Sequence, residues 1–437
     1  MRTGEPRSLR VRLLGGLLLW VTTLYCSPAL RTGKRRGGEG AGLYPERSVL
    51  HIQEGKSPAL VRERGRLAAL MPSYEAVQHE LAEHGIHLDI KEVRHIAHYA
   101  AQAALTFRKR ELELYRAGKL PQGDGRGKRF AALIDGGRTK IRTTTRKQKG
   151  QGKTKTPTRR YQTDWREPKL VIVFEMDEQG RMKKGTKAII DGSFQGPDEL
   201  MEVLTMRLHQ VGASQAEVVA FRADGAPWIW DRLEWVRKRL GLKKRQVSLG
   251  LDWCHAVHHI SLALEPLVED ADRKRVFKKL RKWLKCGAWK KVVCELIDLL
   301  REKGLDEKSP VWTEINYLER HGKAGHMDDA KFRRRKLPTG SGAIESAIRR
   351  VINLRMKGNS ISWQEENAEG MLVLRGLVVS RRWNETFAKI SDSMACDRRL
   401  DWEWQSPDMP AELKAKIRIQ PPKPQTLAPQ PAYTASA

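Results

Sequence analysis

Short apolar runs that end on aspartate constrain this chain more than any other feature. Residues 130–134 run into Asp135, 217–223 into Asp224 and 246–251 into Asp252. Residues 170–174 form a further run, followed by the turn Asp177-Glu178-Gln179-Gly180, and 183–190 read as its return. Runs this short, rich in β-prone residues and bounded by turn residues, read as strands. The runs over 130–134, 170–174 and 183–190 are expected to form an antiparallel meander. A helix is expected from Pro197, with Leu200, Val203, Leu204 and Leu208 on one face, and another over 228–240. Strands interleaved with amphipathic helices predict an α/β sheet with helices packed on it.

At 437 residues the chain exceeds one ordinary core. At its start, Arg2, Arg7, Arg10 and Arg12 lead into an apolar run over 13–26, an arrangement like an export signal. The run is too short to span a bilayer. It reads better as a β-hairpin, 9–14 and 17–25 joined by Gly15-Gly16. After a Gly/Arg-rich connector over 31–42, three helices are expected. One covers 58–71, a second is capped by Ser73 and ends at Gly85, and a third starts at Asp89 with Glu92 completing a capping box. The third carries Val93, Ile96, Ala97, Ala100, Ala101 and Leu105 on one face, with Arg94, His95, Arg108 and Lys109 off it. That outline fits a helix-turn-helix or an ordinary helical bundle. Residues 257–318 are helical and amphipathic. A break over 336–342 holds Pro338, Gly340 and Gly342, and helices are expected over 343–355 and 364–383. After Pro407 the chain is Pro- and Ala-rich without apolar period, so no structure is expected there.

Charge narrows the partners. The 82 Lys and Arg against 52 Asp and Glu give +30. Such a surplus repels itself unless a polyanion neutralises it. Nucleic acid fits best, ahead of a ribosome-associated protein or a membrane-surface binder. The basic residues gather in Arg138, Lys140, Arg142, Arg146, Lys147, Lys149, Lys153, Lys155, Arg159 and Arg160, with no acid among them over 138–160. This stretch reads as a linker that orders on a phosphate backbone, or as a solvated loop. Arg94 joins it as a candidate DNA contact. Cys26, Cys254, Cys286, Cys294 and Cys396 are odd in number and never spaced CxxC. They form neither a disulfide framework nor a structural zinc site by spacing, and the expected compartment is reducing and cytoplasmic.

The chemistry is expected in carboxylates. Asp135 and Asp224 are each followed by glycine, and Glu345 stands in Gly340-Ser341-Gly342-Ala343-Ile344-Glu345-Ser346 at the start of a helix. Strand ends of an α/β sheet project into a shared crevice. Glycine there is expected to let a phosphate approach. Mg²⁺ or Mn²⁺ prefers such hard oxygen ligands, and two ions can act together on a phosphodiester. A lone Asp-Gly is more often a plain turn. In Asp252-Trp253-Cys254-His255-Ala256-Val257-His258-His259, His255 and His259 stand one helical turn apart, so zinc is the alternative, but no Glu follows His255. A packing and orienting role for Asp252 and His255 is the expectation.

The order Asp135-Gly-Gly-Arg138, Ala223-Asp224-Gly-Ala-Pro-Trp-Ile229, Asp252-Trp-Cys-His255 and Gly340 through Ser346 resembles bacterial insertion-sequence transposases of the DDE type. The nearest group is the Mutator-like assemblage and its relatives. Residues 353–357, 362–363 and 372–375 fit as well, so the resemblance covers roughly 57–383, and it draws Arg355 and Trp363 in as supporting residues. It implies an RNase H-like catalytic domain, a five-stranded mixed sheet with flanking helices, in which Asp135, Asp224 and Glu345 are the catalytic metal ligands. It further implies that Asp252 and His255 match the family's Asp/Cys-x-x-His motif. Relatives often carry a CxxC pair near the N-terminal hairpin, of which only Cys26 remains.

The implied division is a β-hairpin and basic segment at 1–56, a helix-turn-helix-like DNA-binding domain at 57–115, the catalytic domain at 128–265 and 339–390, an all-helical insertion at 266–338, and a disordered tail at 407–437. The implied activity is metal-dependent strand cleavage at element ends and strand transfer into target DNA. Double-stranded DNA would be the partner, with a homo-oligomer on the DNA, no membrane, and a nucleoid-associated location. The alternatives are an inactive or domesticated transposase that only binds DNA, and a different RNase H-like nuclease, against which the helical insertion and the Glu345 block argue.

Overall fold

The structure is a computed structural model that describes residues 2–27, 44, 46–47, 50–52, 55–145, 160–358, 361–398 and 418–420. The chain divides into two compact units, Met1–Ala100 with Phe387–Ala437, and Ala101–Thr386. No helix among the described residues is long and apolar enough to cross a membrane.

In the first unit, β1 (Arg2–Arg12) and β2 (Leu18–Ser27) pair antiparallel. The turn works because Gly15 and Gly16 take φ of 91° and 82°, which a side chain would oppose. Arg418–Gln420 adds a strand to β2. A piece of the tail expected to lack structure therefore pairs; the rest of 407–437 lies outside the described residues. Helices α1 (Pro58–Leu70) and α2 (Tyr74–Glu83) begin where the Ser57 and Ser73 hydroxyls accept from Leu60 and Ala76 amides. Helix α3 (Ile90–Arg116) begins where Asp89 Oδ1 accepts the Glu92 amide at 2.7 Å. Leu60, Val77, Leu81, Val93 and Ala97 form the small core between them.

The two compact units divide within α3, between Ala100 and Ala101. Arg108, read as lying off the apolar face, is 2% exposed and pairs with Asp191 and Glu369 at 3.2 and 2.7 Å. It is a buried structural cation.

The second unit holds a five-stranded mixed sheet. Its strands are β3 (Arg129–Gly136), β6 (Lys169–Glu175), β7 (Ile189–Ser193), β8 (Val218–Ala223) and β9 (Val247–Leu251). The order is β7-β6-β3-β8-β9, antiparallel across β7-β6-β3 and parallel across β3-β8-β9. The third run starts later than its pattern suggested, at Ile189. Before it Met182 makes only an isolated bridge to Met176.

Alternation decides the faces. Phe130, Ala132, Ile134, Val171, Val173, Val219 and Phe221 pack with helices α4 (Pro197–Gln210) and α5 (Pro227–Arg239). Each buried Leu or Ile there contributes about 2 kcal/mol, more than a surface ion pair at about 1 kcal/mol or less. This core, not the surface charge, therefore fixes the sheet.

The basic stretch expected as a linker is partly sheet. Strands β4 (Thr139–Thr145) and β5 (Arg160–Arg166) form a hairpin carrying Lys140, Arg142 and Arg160. Local polarity hides the anchors: Ile141 is buried, the Thr139 hydroxyl donates to Met356 O at 2.6 Å, and Arg142 N donates to Trp363 O at 2.8 Å. Arg146, Lys147, Lys149, Lys153, Lys155 and Arg159 lie outside the described residues.

After β9 the helices α6 (Trp253–Leu267), α7 (Asp270–Lys285), α8 (Trp289–Glu302), α9 (Pro310–Lys323) and α10 (Asp329–Arg334) share a core of Ile260, Leu264, Leu280, Leu296, Ile315 and Leu318. Helix α11 (Gly342–Ile348) then lies on the sheet face opposite α4, with Ile348 and Ile352 against Gly137. The single helix expected over 343–355 is α-helical only to Ile348 and continues as a π-helical turn, Arg349–Asn353. The cause is α12 (Glu365–Val379), whose buried Arg375 donates to the Arg350 and Val351 carbonyls. The helix expected over 364–383 breaks where Arg381 takes φ of 60°, and α13 (Trp383–Arg398) follows.

Candidate carboxylate centre

Register places three aspartates side by side. Ile134 pairs with Ala223 and Ala223 with Leu251, all in parallel, and the next residue on each strand is Asp135, Asp224 or Asp252. Neighbouring strands lie about 4.8 Å apart. Strand alternation turns all three away from the α4–α5 core, toward the face that α11 covers. Asp252, expected only to orient its neighbours, is therefore a full member of the row.

Each aspartate is locally fixed. Asp135 Oδ1 accepts the Gly136 amide at 2.6 Å, and Asp224 Oδ1 accepts the Ala226 amide at 3.0 Å. Asp252 caps α6. Its Oδ2 accepts the His255 amide at 3.0 Å and lies 2.9 Å from His255 Nδ1. These are turn and cap bonds any aspartate can make. Their convergence at one sheet edge is what distinguishes them.

Charge crowds here. Burial, then the Asp224 and Asp252 carboxylates, pushes the Asp135 carboxyl up to about 6, against the Gly136 amide and His255. Burial also raises Asp252, but the His255 ring and amide and the Ser341 hydroxyl outweigh it and hold its carboxyl below the ordinary value. His255 is raised by its bond to Asp252 and by the charges of Asp252, Asp224 and Asp135, with burial opposing.

Glu345 reaches the row through the chain before it. Trp253 N donates to Thr339 O at 3.1 Å and Leu251 N to His326 O at 2.8 Å, which ties the segments flanking α10 to the end of β9. Arg222, buried in β8, stacks on Phe332 of α10 at 4.2 Å. Ser341 donates to Glu345. The result brings one donor atom each of Asp252, Cys254 and Glu345 within 4.8 Å of one another.

The sequence matches no protein-family model and no curated protein.

The glycines after the aspartates do not leave open space. A Cβ at Gly225 would lie 2.0 Å from the Tyr317 ring, one at Gly136 would meet Glu167 at 2.1 Å, and one at Gly137 would meet Ile352 at 2.4 Å. They admit protein side chains, contrary to the expected phosphate approach. His255 and His259 turn to different carboxylates, Asp252 and Glu314, which disfavours a zinc site built on that pair. Arg355 and Trp363 are both buried, the guanidinium 5.1 Å over the ring, and Trp363 donates to Met356 O. They brace the end of the π-helical turn. Arg138, next to Gly137, is exposed, and so is Arg94, in the first unit.

Sequence reasoning missed Ser341, Cys254, Arg222 and Tyr317 as parts of the site. None of the four closes an apolar run, the signal that marked Asp135, Asp224 and Asp252.

Among the described residues the donor atoms that lie within 4.8 Å of one another are those of Asp252, Glu345 and the Cys254 thiol, and the expected ligands Asp135 and Asp224 are not in that group. Burial first, and the neighbouring carboxylates second, drive Asp135 toward protonation, and a positive ion beside it would favour its charged form.

Proposed function

We propose that this chain is a DDE-type DNA transposase with an RNase H-like catalytic domain, cleaving element ends and joining them to target DNA. The observation that carries the reading is the register-aligned row Asp135, Asp224 and Asp252 with Glu345 beside it.

Asp135, Asp224 and Glu345 would hold Mg²⁺ or Mn²⁺, with Asp252 contributing to the same cluster. Such ions, two of them in this reading, supply Lewis acidity to a scissile phosphate. The chain's own residues set the geometry. The Gly136 and Ala226 amides each hold one oxygen of Asp135 and Asp224, leaving the other oxygen of each for coordination. The Asp252–His255 contact fixes the imidazole beside the cluster. The +30 charge draws the polyanion in, with Arg138, Lys140, Arg142 and Arg160 of the hairpin region as candidate contacts. A homo-oligomer on the DNA would hold two element ends together.

The test is cleavage and 3′-end joining of labelled duplex DNA by the full chain with Mg²⁺ or Mn²⁺. Metal-dependent strand breaks that disappear in Asp135→Asn, Asp224→Asn and Glu345→Gln are expected. DNA binding without any metal-dependent breakage would instead favour the inactive, DNA-binding alternative.

A further inference from the structure

We infer that the solvent face of α7 is a docking strip for the phosphate backbone of duplex DNA, leading to the carboxylate row. The partner class rests on the reading of the site as a DNA-processing centre.

From Lys274 to Lys285 every exposed side chain of α7 is Lys or Arg, while Leu280 and Leu284 are buried in the insertion core, with Val276, Phe277 and Trp283 packed against it. Two of the cations are neutralised locally, Arg275 by Asp272 at 3.0 Å and Lys279 by Glu295 at 2.9 Å. Lys274, Lys278, Arg281, Lys282 and Lys285 make no ion pair among the described residues. At 3.6 residues per turn these five fall within an arc of about 100° and span about 16 Å along the helix. Pairs such as Lys274–Lys278 and Lys278–Lys282 are like charges four residues apart, which destabilise an isolated helix. A polyanion laid along such a strip would relieve this repulsion and release counterions.

Position selects the polyanion. Helix α7 shares one core with α6, which Asp252 caps and which carries Cys254, whose thiol lies in a cluster with Asp252 and Glu345. The strip therefore lies on a neighbour of the helix that starts at the carboxylate row. A membrane surface fits less well, because the apolar side of α7 is committed to the core and cannot enter a bilayer.

The test uses full-length protein with Lys274, Lys278 and Lys282 all changed to Gln. A control triple changes Lys291, Lys303 and Lys308, exposed elsewhere on the insertion. Binding to a duplex oligonucleotide is measured by anisotropy across salt concentrations, beside a thermal melt. The expected result is a melt that is not lowered and a log–log salt slope lower by about three units in the first triple, at about 0.9 per lost contact, with the control slope unchanged. Equal loss in both triples, an unchanged slope in the first, or tighter binding to anionic vesicles than to duplex would overturn the strip. The outcome is separable from the catalytic reading. A protein that never cleaves DNA but loses slope only in the first triple supports the strip alone. One that cleaves while that slope stays fixed supports catalysis alone.

Discussion

Tyr317 lies against the backbone of Gly225, so close that a Cβ on that glycine would sit 2.0 Å from its Cε2. A residue of α9 is thus packed onto the turn that presents Asp224. Burial, then the Asp224 charge, raises the Tyr317 phenol, so it stays neutral at ordinary pH.

Gly225→Ala must move this ring or the Asp224 turn. A stability loss of about 1–3 kcal/mol is expected from overpacking, with a larger loss of metal-dependent cleavage than of DNA binding. Adding Tyr317→Ala should restore part of both. Equal activity of Gly225→Ala and the unaltered protein would show that the turn tolerates the displacement.

Asp252→Asn should be as damaging as Asp135→Asn. Asparagine removes the anion that raises His255 and still caps the helix. The imidazole should then titrate at lower pH, followed by NMR of the His255 ring, while the fold persists. Retained cleavage in Asp252→Asn would return Asp252 to a capping role.

Asp135 sets a pH dependence. Its folded value of about 6 lies above its ordinary value of 3.8. Stability from this group is therefore fully present below about pH 4 and declines as pH rises through 6. Without added metal, Asp135→Asn should be more stable than the unaltered protein at pH 7.5 by roughly 1–3 kcal/mol, with no difference near pH 4. Urea titrations at the two pH values check this. Mg²⁺ or Mn²⁺ should stabilise the unaltered protein more than the variant.

Arg375→Met removes the donor that satisfies the Arg350 and Val351 carbonyls inside the unit. A cost of about 2–4 kcal/mol is expected from the carbonyls left unpaired. The π-helical turn should also revert toward regular helix, turning the residues after Ile348 and disturbing the packing of α11 on β3. A denaturation midpoint equal to that of the unaltered protein would remove this account.

What the sequence determined by itself was local. Apolar runs with terminal aspartates mark the strands because hydrophobic alternation and turn chemistry act over a few residues. Ser57, Ser73 and Asp89 mark helix starts for the same reason, and Gly15-Gly16 marks the hairpin. Tertiary structure decided what depends on partners far along the chain. Asp252 joined the row only because β9 pairs with β8 at Ala223–Leu251, a register with no local sign. Glycines that looked open were filled by Tyr317, Glu167 and Ile352. The expected helix at 343–355 became part π-helix because an arginine from α12 takes its carbonyls. The polar stretch after Gly137 became a hairpin because Met356 and Trp363 supply hydrogen-bond partners that its own residues do not announce. In each case the deciding energy is a contact between segments that the chain brings together only on folding.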